Sequence, residues 1–476
     1  MESNLIDDVW IKSENAFNTK NPSHQNQSVG RYSVADEELV RQAVNASVSA
    51  FPAWSATGVQ QRHNVLKTVA VLISENKDRL ADLLAREEGK TLTEAVGETM
   101  RAAQIFDFYA GEALRLQDHS GPSTRPGIRV EVRREPVGVF ALITPWNFPI
   151  AIPAWKIAPA LCYGNCAVIK PSEVAPGCAV ELVRLLRDAG LPAGVLNLVS
   201  GPGEPTGRAL VESNGIDGVS FTGSVGTGSQ IRQTAARRGI RCQTEMGGKN
   251  PIVILDDADL DQAVEGALNG AFFSTGQRCT ASSRIIVTEG VYVAFKDRLL
   301  KRLSEMVVGD ALGSDTTIGP VVNQSQKTSI ERYLSLGWDE GNQLFPASKH
   351  PQNKPSLYLQ PHLFEATDLS SPLVREEIFG PVASLIKATD FEDALRLAND
   401  TEFGLSAGIY TSSLKYASLF KARAQAGMVM VNLPTAGVDY HVPFGGIKQS
   451  SFGPREQGSN AVEFFTQVKT IYEAAI

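Results

Sequence analysis

The sequence predicts an α/β protein with more than one domain and a parallel sheet in its central part. Short apolar runs, each ended by turn residues, recur after residue 137, and stretches with helical spacing separate them. Strands that alternate with helices form βαβ units, whose strands are parallel. The chain of 476 residues also exceeds what one hydrophobic core usually serves.

The first part of the chain has a different pattern. Residues 1–60 are polar and turn-rich, and the first clear periodicity begins at Leu66. Apolar residues at helical spacing predict one helix from there to Gly89, which closes it, and a second over 91–116. The strict alternation of apolar and charged residues over 128–134 predicts a half-exposed strand.

The central part supplies the parallel strands. The expected strands are 137–143, 167–169, 195–199, 219–221, 252–255 and 283–287. A helix over 173–189 lies between the second and third, and another begins near Asp259. The alternation continues to about residue 430, without an internal repeat.

Composition and charge exclude several kinds of partner. The net charge of −7 is modest and both signs are spread along the chain, so no nucleic-acid partner is expected. No basic segment followed by an apolar one opens the chain, and no apolar stretch reaches membrane-spanning length, so we expect a cytoplasmic protein without a membrane partner. The five cysteines lack zinc-ligand spacing and fit a reduced chain without a metal site.

Three polar residues form a candidate set for chemistry at a carbonyl. Cys279 follows Gly-Gln-Arg, Glu245 opens Glu-Met-Gly-Gly-Lys-Asn, and Asn147 lies in Thr-Pro-Trp-Asn-Phe-Pro. A thiolate attacks a carbonyl, a carboxylate serves as base, and an amide donates to an oxyanion. Each also has an ordinary structural interpretation, namely a buried small side chain, a helix cap and a turn residue.

Seven short motifs extend this set in one order along the chain. They are 144–149, Lys-Pro-Ser-Glu (170–173), Phe-Thr-Gly-Ser (221–224), 245–250, Gly-Gln-Arg-Cys-Thr (276–280), Glu-Glu-Ile-Phe-Gly-Pro-Val (376–382) and Pro-Phe-Gly-Gly (443–446). Through them the chain resembles the NAD(P)-dependent aldehyde dehydrogenase superfamily over nearly its whole length.

The resemblance implies the aldehyde dehydrogenase fold in three parts. A Rossmann-like dinucleotide-binding domain would comprise 1–117 and 137–247, and an α/β catalytic domain 248–446. A β-ribbon oligomerisation arm would comprise 118–136 and 447–476, and would make the protein a homodimer or homotetramer. The alternation at 128–134 suits such an arm, because a projecting ribbon must find its partner on another subunit.

The resemblance also assigns catalytic roles. The Cys279 thiolate would add to an aldehyde, and the Asn147 side chain with the Cys279 backbone N–H would hold the oxyanion. Once hydride has left, Glu245 would activate water to hydrolyse the thioester. Lys156 and Glu456 match positions for proton relay or support of the base, although such residues are usually structural.

The glycine-rich runs 201–207 and 223–228 depart from the dinucleotide fingerprint and do not identify a cofactor site by themselves. The cofactor residues are therefore taken from the same resemblance to the family motifs. The residues implied are Thr144, Pro145, Trp146, Lys170, Glu173, Gly203, Thr222, Gly223, Ser224, Met246, Gly247, Glu377 and Phe379. Glu173 would accept from both ribose hydroxyls and so favours NAD over NADP, which stays possible. The alternatives are a solvated surface charge for Lys170 and a helix-terminal charge for Glu377.

The substrate is inferred from two arginines and two longer runs. Arg101 and Arg278 resemble positions that receive an anionic tail, although structural ion pairs would explain both. The runs 151–161 and 437–446 resemble those of α-ketoglutaric semialdehyde (2,5-dioxopentanoate) dehydrogenases. The substrate-binding residues so implied are Arg101, Phe148, Trp155, Arg278, Thr280, Val438 and His441. Succinic semialdehyde and sulfolactaldehyde remain alternative substrates.

Other activities on the same fold are less compatible with these residues. Dehydrogenases that pass the acyl group to CoA often lack the counterpart of Glu245. The same glutamate and the 376–382 motif argue against a biosynthetic acyl-phosphate reductase. A non-catalytic protein of this fold would be expected to lose Cys279.

Overall fold

The computed structural model describes residues 4–346 and 356–474. Residues 4–113 form β1 (Asn4–Ile6), β2 (Val9–Ile11), β3 (Ala16–Lys20), β4 (Ser28–Ser33), α1 (Glu37–Ser55), α2 (Val59–Glu75), α3 (Lys77–Glu88) and α4 (Leu92–Ala113). Residues 119–245 form β5 (His119–Pro122), β6 (Ile128–Pro136), β7 (Val139–Ile143), α5 (Ala151–Cys162), β8 (Cys166–Lys170), α6 (Gly177–Asp188), β9 (Leu196–Leu198), α7 (Arg208–Glu212), β10 (Gly218–Thr222), α8 (Val225–Arg238) and β11 (Arg241–Glu245).

The second half of the described chain continues the alternation. Its elements up to residue 431 are β12 (Pro251–Ile254), α9 (Leu260–Phe272), β13 (Arg284–Thr288), α10 (Tyr292–Ser304), α11 (Gln324–Asp339), β14 (Gln343–Phe345), β15 (His362–Glu365), α12 (Pro372–Arg375), β16 (Val382–Ala388), α13 (Phe391–Asn399), β17 (Phe403–Gly404), β18 (Ser406–Tyr410), α14 (Leu414–Arg423) and β19 (Met428–Val431). The last elements are β20 (Ile447–Lys448), β21 (Ser451–Phe452), α15 (Val462–Phe465) and β22 (Thr466–Ala474).

The larger sheet has the order β2-β1-β9-β8-β7-β10-β11-β21. Its five central strands, β7 to β11, are parallel, and the outer strands β1, β2 and β21 are antiparallel to their neighbours. Every residue of β7, β8 and β10 is buried, which explains why these strands appear in the sequence as continuous apolar runs. The parallel central sheet that the sequence predicted is confirmed.

The second sheet has the order β14-β15-β16-β13-β12-β18-β19 and is parallel except at β14. Successive side chains of its strands enter opposite cores, because strand residues point alternately to the two faces. Ile252 and Ile254 pack into one apolar cluster, whereas Val253 packs into the other. Helices cover both faces of this sheet, as a parallel sheet requires.

A three-stranded antiparallel sheet stands apart from these two. It has the order β22-β6-β5, and β22 pairs with β6 from Thr466↔Pro136 to Ala474↔Ile128. The half-exposed strand predicted over 128–134 is therefore confirmed and extends to Pro136. β21, which the sequence analysis assigned to the arm, instead pairs with β11 at the edge of the larger sheet.

The interpretation of residues 1–60 as polar and turn-rich was wrong. Residues 4–60 contain the strands β1 to β4, the helix α1 and the start of α2. Asp36 caps α1 by accepting from the Leu39 backbone N–H at 2.8 Å. Val40, Ala43 and Val44 of α1 are buried at helical spacing. That spacing was visible in the sequence, but the many polar residues around it concealed one apolar stripe.

The helix expected from Leu66 to Gly89 is two helices. α2 ends before Asn76, whose side chain donates to the Leu72 carbonyl at 2.8 Å, and α3 ends at Gly89 with a φ of 94°. Asparagine side chains commonly bond to nearby backbone groups in this way, and such a bond competes with continuation of the helix. Gly89 closes the second helix as predicted.

The three-domain division stays a prediction. Residues 1–3, 347–355 and 475–476 of those ranges lie outside the described residues. Within residues 4–346 and 356–474, no helix combines the length and the apolar character that crossing a membrane needs.

Candidate active site

A cleft of about 720 Å³ lies at the carboxyl ends of β7 and β10. The chain order along the larger sheet reverses between these two strands, because β8 and β9 lie on one side and β11 on the other. Ligands of open parallel sheets bind at such a switch point. The topology alone therefore indicates a binding site here.

Most of the predicted cofactor residues line this cleft. They are Thr144, Pro145, Trp146, Lys170, Glu173, Gly203, Thr222, Gly223 and Ser224. The sequence analysis missed the wall that α8 supplies through Thr227, Gln230, Ile231 and Thr234. These four positions share one face of a helix, so their spacing was the signal that would have found them.

Ser224 caps α8 and faces the cleft. Its side chain accepts from the Thr227 backbone N–H at 3.3 Å, and the positive end of the helix opens toward the cleft. Gly228 allows α8 to approach β11, because a Cβ there would lie 2.5 Å from the Met246 sulfur. Met246 therefore packs beneath α8 and does not appear in the wall of the cleft.

Lys170 is buried, so its interpretation as a solvated surface charge is wrong. The ammonium donates to the carbonyls of Pro171 at 2.7 Å and Gly201 at 2.9 Å, and lies 3.8 Å from the Glu173 carboxylate. Burial lowers the pKa of Lys170 to about 8, and the Glu173 charge opposes this shift. Glu173 keeps 42% of its side chain exposed and is accessible to a ligand.

The 376–382 segment links the cleft with the nucleophile. The Phe379 ring meets the Trp146 ring edge-on at 5.4 Å, and Glu377 accepts from the Gly248 backbone N–H at 2.9 Å. The Glu377 carboxylate packs closely on Gly247, where a Cβ would lie 2.0 Å from it and would displace the carboxylate. Burial raises the pKa of Glu377 to about 7.

Cys279 is half-buried and follows a tight turn over Phe273–Gly276. Burial raises the pKa of its thiol to about 12, and the charges of Glu377 and Glu245 act in the same direction. Backbone hydrogen bonds from Thr280 and from Cys279 itself oppose the rise. The thiol is therefore protonated at neutral pH unless its surroundings change.

Asn147 is brought directly to the nucleophile loop. Its side-chain amide is buried and donates to the Gln277 carbonyl at 2.9 Å, two residues before Cys279. An amide nitrogen carries two donors, so the bond to Gln277 fixes the side chain and leaves a second N–H for an oxyanion.

Glu245 lies at the end of β11 above a buried polar network. Its carboxylate accepts from the Ser451 hydroxyl at 2.5 Å. Burial raises its pKa well above the usual value, and the Glu456 charge adds to this. Lys156 donates to Glu456 and, at 2.7 Å, to Ser220. Lys156 and Glu456 thus form a buried ion pair that acts electrostatically on Glu245.

The two arginines proposed for the substrate differ in their contacts. Arg278 is paired with Glu94 at 3.0 Å, so for this residue the contacts favour the structural ion pair. Arg101 is half-buried on α4, and its Nε has no hydrogen-bond partner within the described residues. The negative charge of Asp439 favours the charged form of Arg101. Among the described residues, however, no carboxylate lies within 4.0 Å of the Arg101 guanidinium to form an ion pair.

The remaining predicted substrate residues differ in their burial and contacts. Phe148 is half-buried under the Lys90 ammonium, which lies 3.8 Å from the ring centroid, and the buried Trp155 ring packs against Phe444 at 5.4 Å. Thr280 is buried, and its carbonyl accepts from Thr435 at 2.7 Å. Val438 is half-buried and His441 is exposed. Sequence reasoning missed Ser451, Glu94, Lys90 and Glu98, whose contacts join distant segments.

Comparison with known proteins shows the family. The sequence model of the Aldehyde dehydrogenase family matches residues 10–471, so the chain belongs to this family. It is 43% identical to the α-ketoglutaric semialdehyde dehydrogenase of Bacillus subtilis (strain 168), over 98% of this chain and 97% of that protein. It is 40% identical to the α-ketoglutarate semialdehyde dehydrogenase of Haloferax volcanii, over 99% and 98% of the two chains.

A solved structure shares the fold over nearly the whole chain. The NAD-dependent aldehyde dehydrogenase from Sinorhizobium meliloti superimposes with a TM-score of 0.96 at 33% identity, covering 99% of this chain and 94% of that one. The aldehyde dehydrogenase fold predicted from the motifs is therefore confirmed.

Proposed function

We propose that this chain oxidises α-ketoglutaric semialdehyde to 2-oxoglutarate with NAD⁺ as the hydride acceptor, NADP⁺ being a second candidate. The observation that carries the proposal is the hydrogen bond from the Asn147 amide to the Gln277 carbonyl, which joins an oxyanion donor to the nucleophile loop. The names of the Bacillus subtilis and Haloferax volcanii relatives support the substrate.

The residues divide the reaction into two half-reactions. The Cys279 thiol loses its proton to solvent, and the thiolate sulfur adds to the aldehyde carbonyl. The Asn147 amide with the Cys279 backbone N–H stabilises the oxyanion, which becomes the thioester as the hydride leaves. The nicotinamide dinucleotide supplies the acceptor for the hydride. Glu245 then takes a proton from water, whose oxygen attacks the thioester and releases the carboxylic acid and the thiol.

The cleft supports a dinucleotide as the cofactor. The N-terminal end of α8 at Ser224 suits the pyrophosphate, and the accessible carboxylate of Glu173 suits the hydroxyls of the adenosine ribose. A 2′-phosphate would meet the negative charge of Glu173, which favours NAD⁺.

An anionic substrate is supported by Arg101. A half-buried guanidinium without an ion-pair partner among the described residues retains its donors for a carboxylate, which it can bind through two hydrogen bonds. Arg278 is a weaker candidate, because Glu94 already accepts from it.

Two substitutions test the catalytic assignment. We expect Cys279→Ala to abolish NADH formation, and Glu245→Gln to allow one rapid turnover followed by slow release of the acid. Mass spectrometry of the trapped Glu245→Gln enzyme should find the acyl group on Cys279. Normal turnover by Cys279→Ala, or hydrolysis at the full rate by Glu245→Gln, would contradict the assignment.

A panel of short aldehydes tests the substrate. Anionic and neutral aldehydes of equal length, including succinic semialdehyde and sulfolactaldehyde, are compared by kcat/KM with each cofactor, with and without CoA. Arg101→Met should raise KM for the anionic aldehydes about tenfold or more, because a charge-assisted hydrogen bond contributes about 1.5–3 kcal/mol. Equal effects on neutral aldehydes would exclude an anion pocket, and a requirement for CoA would exclude hydrolysis.

A further inference from the structure

One face of α4 contacts both loops of the candidate site. Glu94, Glu98 and Arg101 are spaced by four and three residues, so they share one side of the helix. Glu94 binds the loop that bears Cys279, and Glu98 binds the loop that bears Asn147. The helix α4 thus contacts both the loop that bears the nucleophile and the loop that bears the oxyanion donor, and so helps to fix their relative positions.

Glu98 fixes the beginning of α5. One carboxylate oxygen accepts from the backbone N–H groups of Ile150 and Ala151, each at 3.1 Å. These are the groups that a helix leaves without intrahelical partners at its N-terminus, and a carboxylate there also suits the helix dipole. The other oxygen of Glu98 lies 2.6 Å from the Lys90 ammonium.

Lys90 extends this contact to the oxyanion donor itself. Its ammonium donates to the Asn147 backbone carbonyl at 2.7 Å and covers the Phe148 ring at 3.8 Å. The side chains of Lys90 and Glu98 are 1% and 2% exposed, so water does not weaken the pair. The backbone from the Asn147 carbonyl to Ala151 is therefore anchored by one buried ion pair.

The nucleophile loop is anchored in the same way. Glu94 accepts from the backbone N–H and the hydroxyl of Ser274, at 2.8 and 2.9 Å, and from Arg278. Ser274 and Thr275 have φ angles of 50° and 57°, a region that residues with a Cβ rarely adopt and that surrounding contacts must hold. Asn147 closes the frame through its bond to Gln277.

We propose that the buried Lys90–Glu98 pair is a positioning element that sets the Asn147 amide relative to the Cys279 sulfur. The inference rests on the proposed dehydrogenase reaction, because it gives the pair a role in stabilising the oxyanion of that reaction. Neither residue contacts the reacting atoms, and both act through Asn147.

The test compares first-turnover rates of NADH formation, measured by stopped flow with α-ketoglutaric semialdehyde and NAD⁺. We expect Glu98→Gln and Lys90→Met each to lower this rate about 10- to 100-fold, since loss of an oxyanion donor costs about 10²–10³-fold. In Lys90→Met the KM for the aldehyde should change less than threefold, because this substitution keeps both Arg101 and the Glu98 charge that acts on it. Asp107→Asn, an exposed carboxylate on the same helix paired with Lys67, should behave as wild type.

A double-mutant cycle separates positioning from general destabilisation. In an Asn147→Ala background, Lys90→Met should lower the remaining rate less than threefold, because the group through which it acts is gone. If Lys90→Met still lowered the first-turnover rate 10- to 100-fold in the Asn147→Ala background, the proposal would be overturned. Glu98→Gln keeps an acceptor for the start of α5, so it provides a folded variant if Lys90→Met does not fold, and wild-type rates in Glu98→Gln would also overturn the proposal. If the wild-type protein forms no NADH, the proposed function fails instead.

Discussion

The protonation of Cys279 is set by its immediate neighbours. Burial disfavours the thiolate, and the negative charges of Glu377 and Glu245 add to the penalty. A thiol with a pKa of about 12 is a poor nucleophile at neutral pH. The charge of Glu377 is therefore a control on reactivity that the sequence motif alone does not reveal.

We predict that Glu377→Gln shifts the alkylation of Cys279 to lower pH. Removing a negative charge lowers the free energy of the thiolate, so its pKa falls and more thiolate is present at a given pH. The measurement is the iodoacetamide rate between pH 6 and 10 without cofactor, with the modified peptide located by mass spectrometry. The matched control is the neighbouring Glu376→Gln, and a Glu377→Gln profile that overlays the wild type contradicts the prediction.

We predict that substitutions of two neighbours of Glu245 shift the midpoint of the pH dependence of hydrolysis in opposite directions. Hydrolysis needs the Glu245 carboxylate, so its rate rises with pH through the pKa of this residue. Glu456→Gln removes a negative charge and should move the midpoint to lower pH, whereas Ser451→Ala removes a donor to the carboxylate and should move it to higher pH.

The measurement for Glu245 is the pH dependence of turnover after the initial burst of NADH, when hydrolysis limits the rate. Glu463→Gln, an exposed carboxylate paired with Arg134, serves as the control. Shifts in the same direction for both variants would show that Glu245 is not the base.

At the scale of elements, predictability depended on burial. The central strands were found because both of their faces are apolar, so periodicity was not needed to detect them. β1 to β4 and α1 were missed because short or largely exposed elements carry a weaker apolar signal. Helix α6 begins at Gly177, later than predicted, because residues 171–176 form the loop that edges the cleft.

We predict that the β22–β6–β5 sheet mediates a homodimer or homotetramer. Val468 and Tyr472 on β22 are 58% and 61% exposed and point to one face, since strand residues alternate. Replacing both by aspartate should reduce the mass measured by analytical ultracentrifugation to that of a monomer. A double aspartate variant at Val293 and Leu414, exposed apolar residues on helices, should retain the wild-type mass. Unchanged assembly of the β22 variant would exclude this face.

At the scale of the whole molecule, the cleft exists only in the folded chain. Its walls come from segments between residues 143 and 234, assembled by the switch in strand order. A ligand that binds only this folded arrangement stabilises it by mass action, about 2.7 kcal/mol at a hundredfold excess over Kd. Thermal unfolding therefore reports cofactor preference without catalysis.

We predict that NAD⁺ raises Tm more than NADP⁺ at equal concentration, and that Glu173→Gln narrows the difference by removing the charge that repels a 2′-phosphate. Lys170 has a pKa lowered to about 8, so it is cationic below that pH. Glu173→Gln removes the charge that opposes this lowering, so the pKa of Lys170 falls further in the variant, and the added stabilisation by NADP⁺ should already fade as the pH rises toward 8. Glu289→Gln, in an exposed pair with Lys387, is the control, and an unchanged NAD⁺ preference in Glu173→Gln contradicts the prediction.

The sequence by itself determined the family, the parallel central sheet and the candidate nucleophile, base and oxyanion donor. Each of these is recorded in short motifs or in local periodicity, where neighbouring positions carry the information. The cleft residues on α8 were also within reach of the sequence, because Thr227, Gln230 and Ile231 share one helix face.

Only the tertiary structure decided which charged groups are paired. Glu94 meets Arg278 across 184 positions of sequence, and Lys156 meets Glu456 across 300. Arg101, by contrast, has no ion-pair partner among the described residues. Electrostatic interactions depend on distance and burial in space, and local sequence patterns carry neither for residues so far apart. The motifs therefore identify the candidate reacting residues, whereas long-range packing sets the ionisation of these residues and their relative positions.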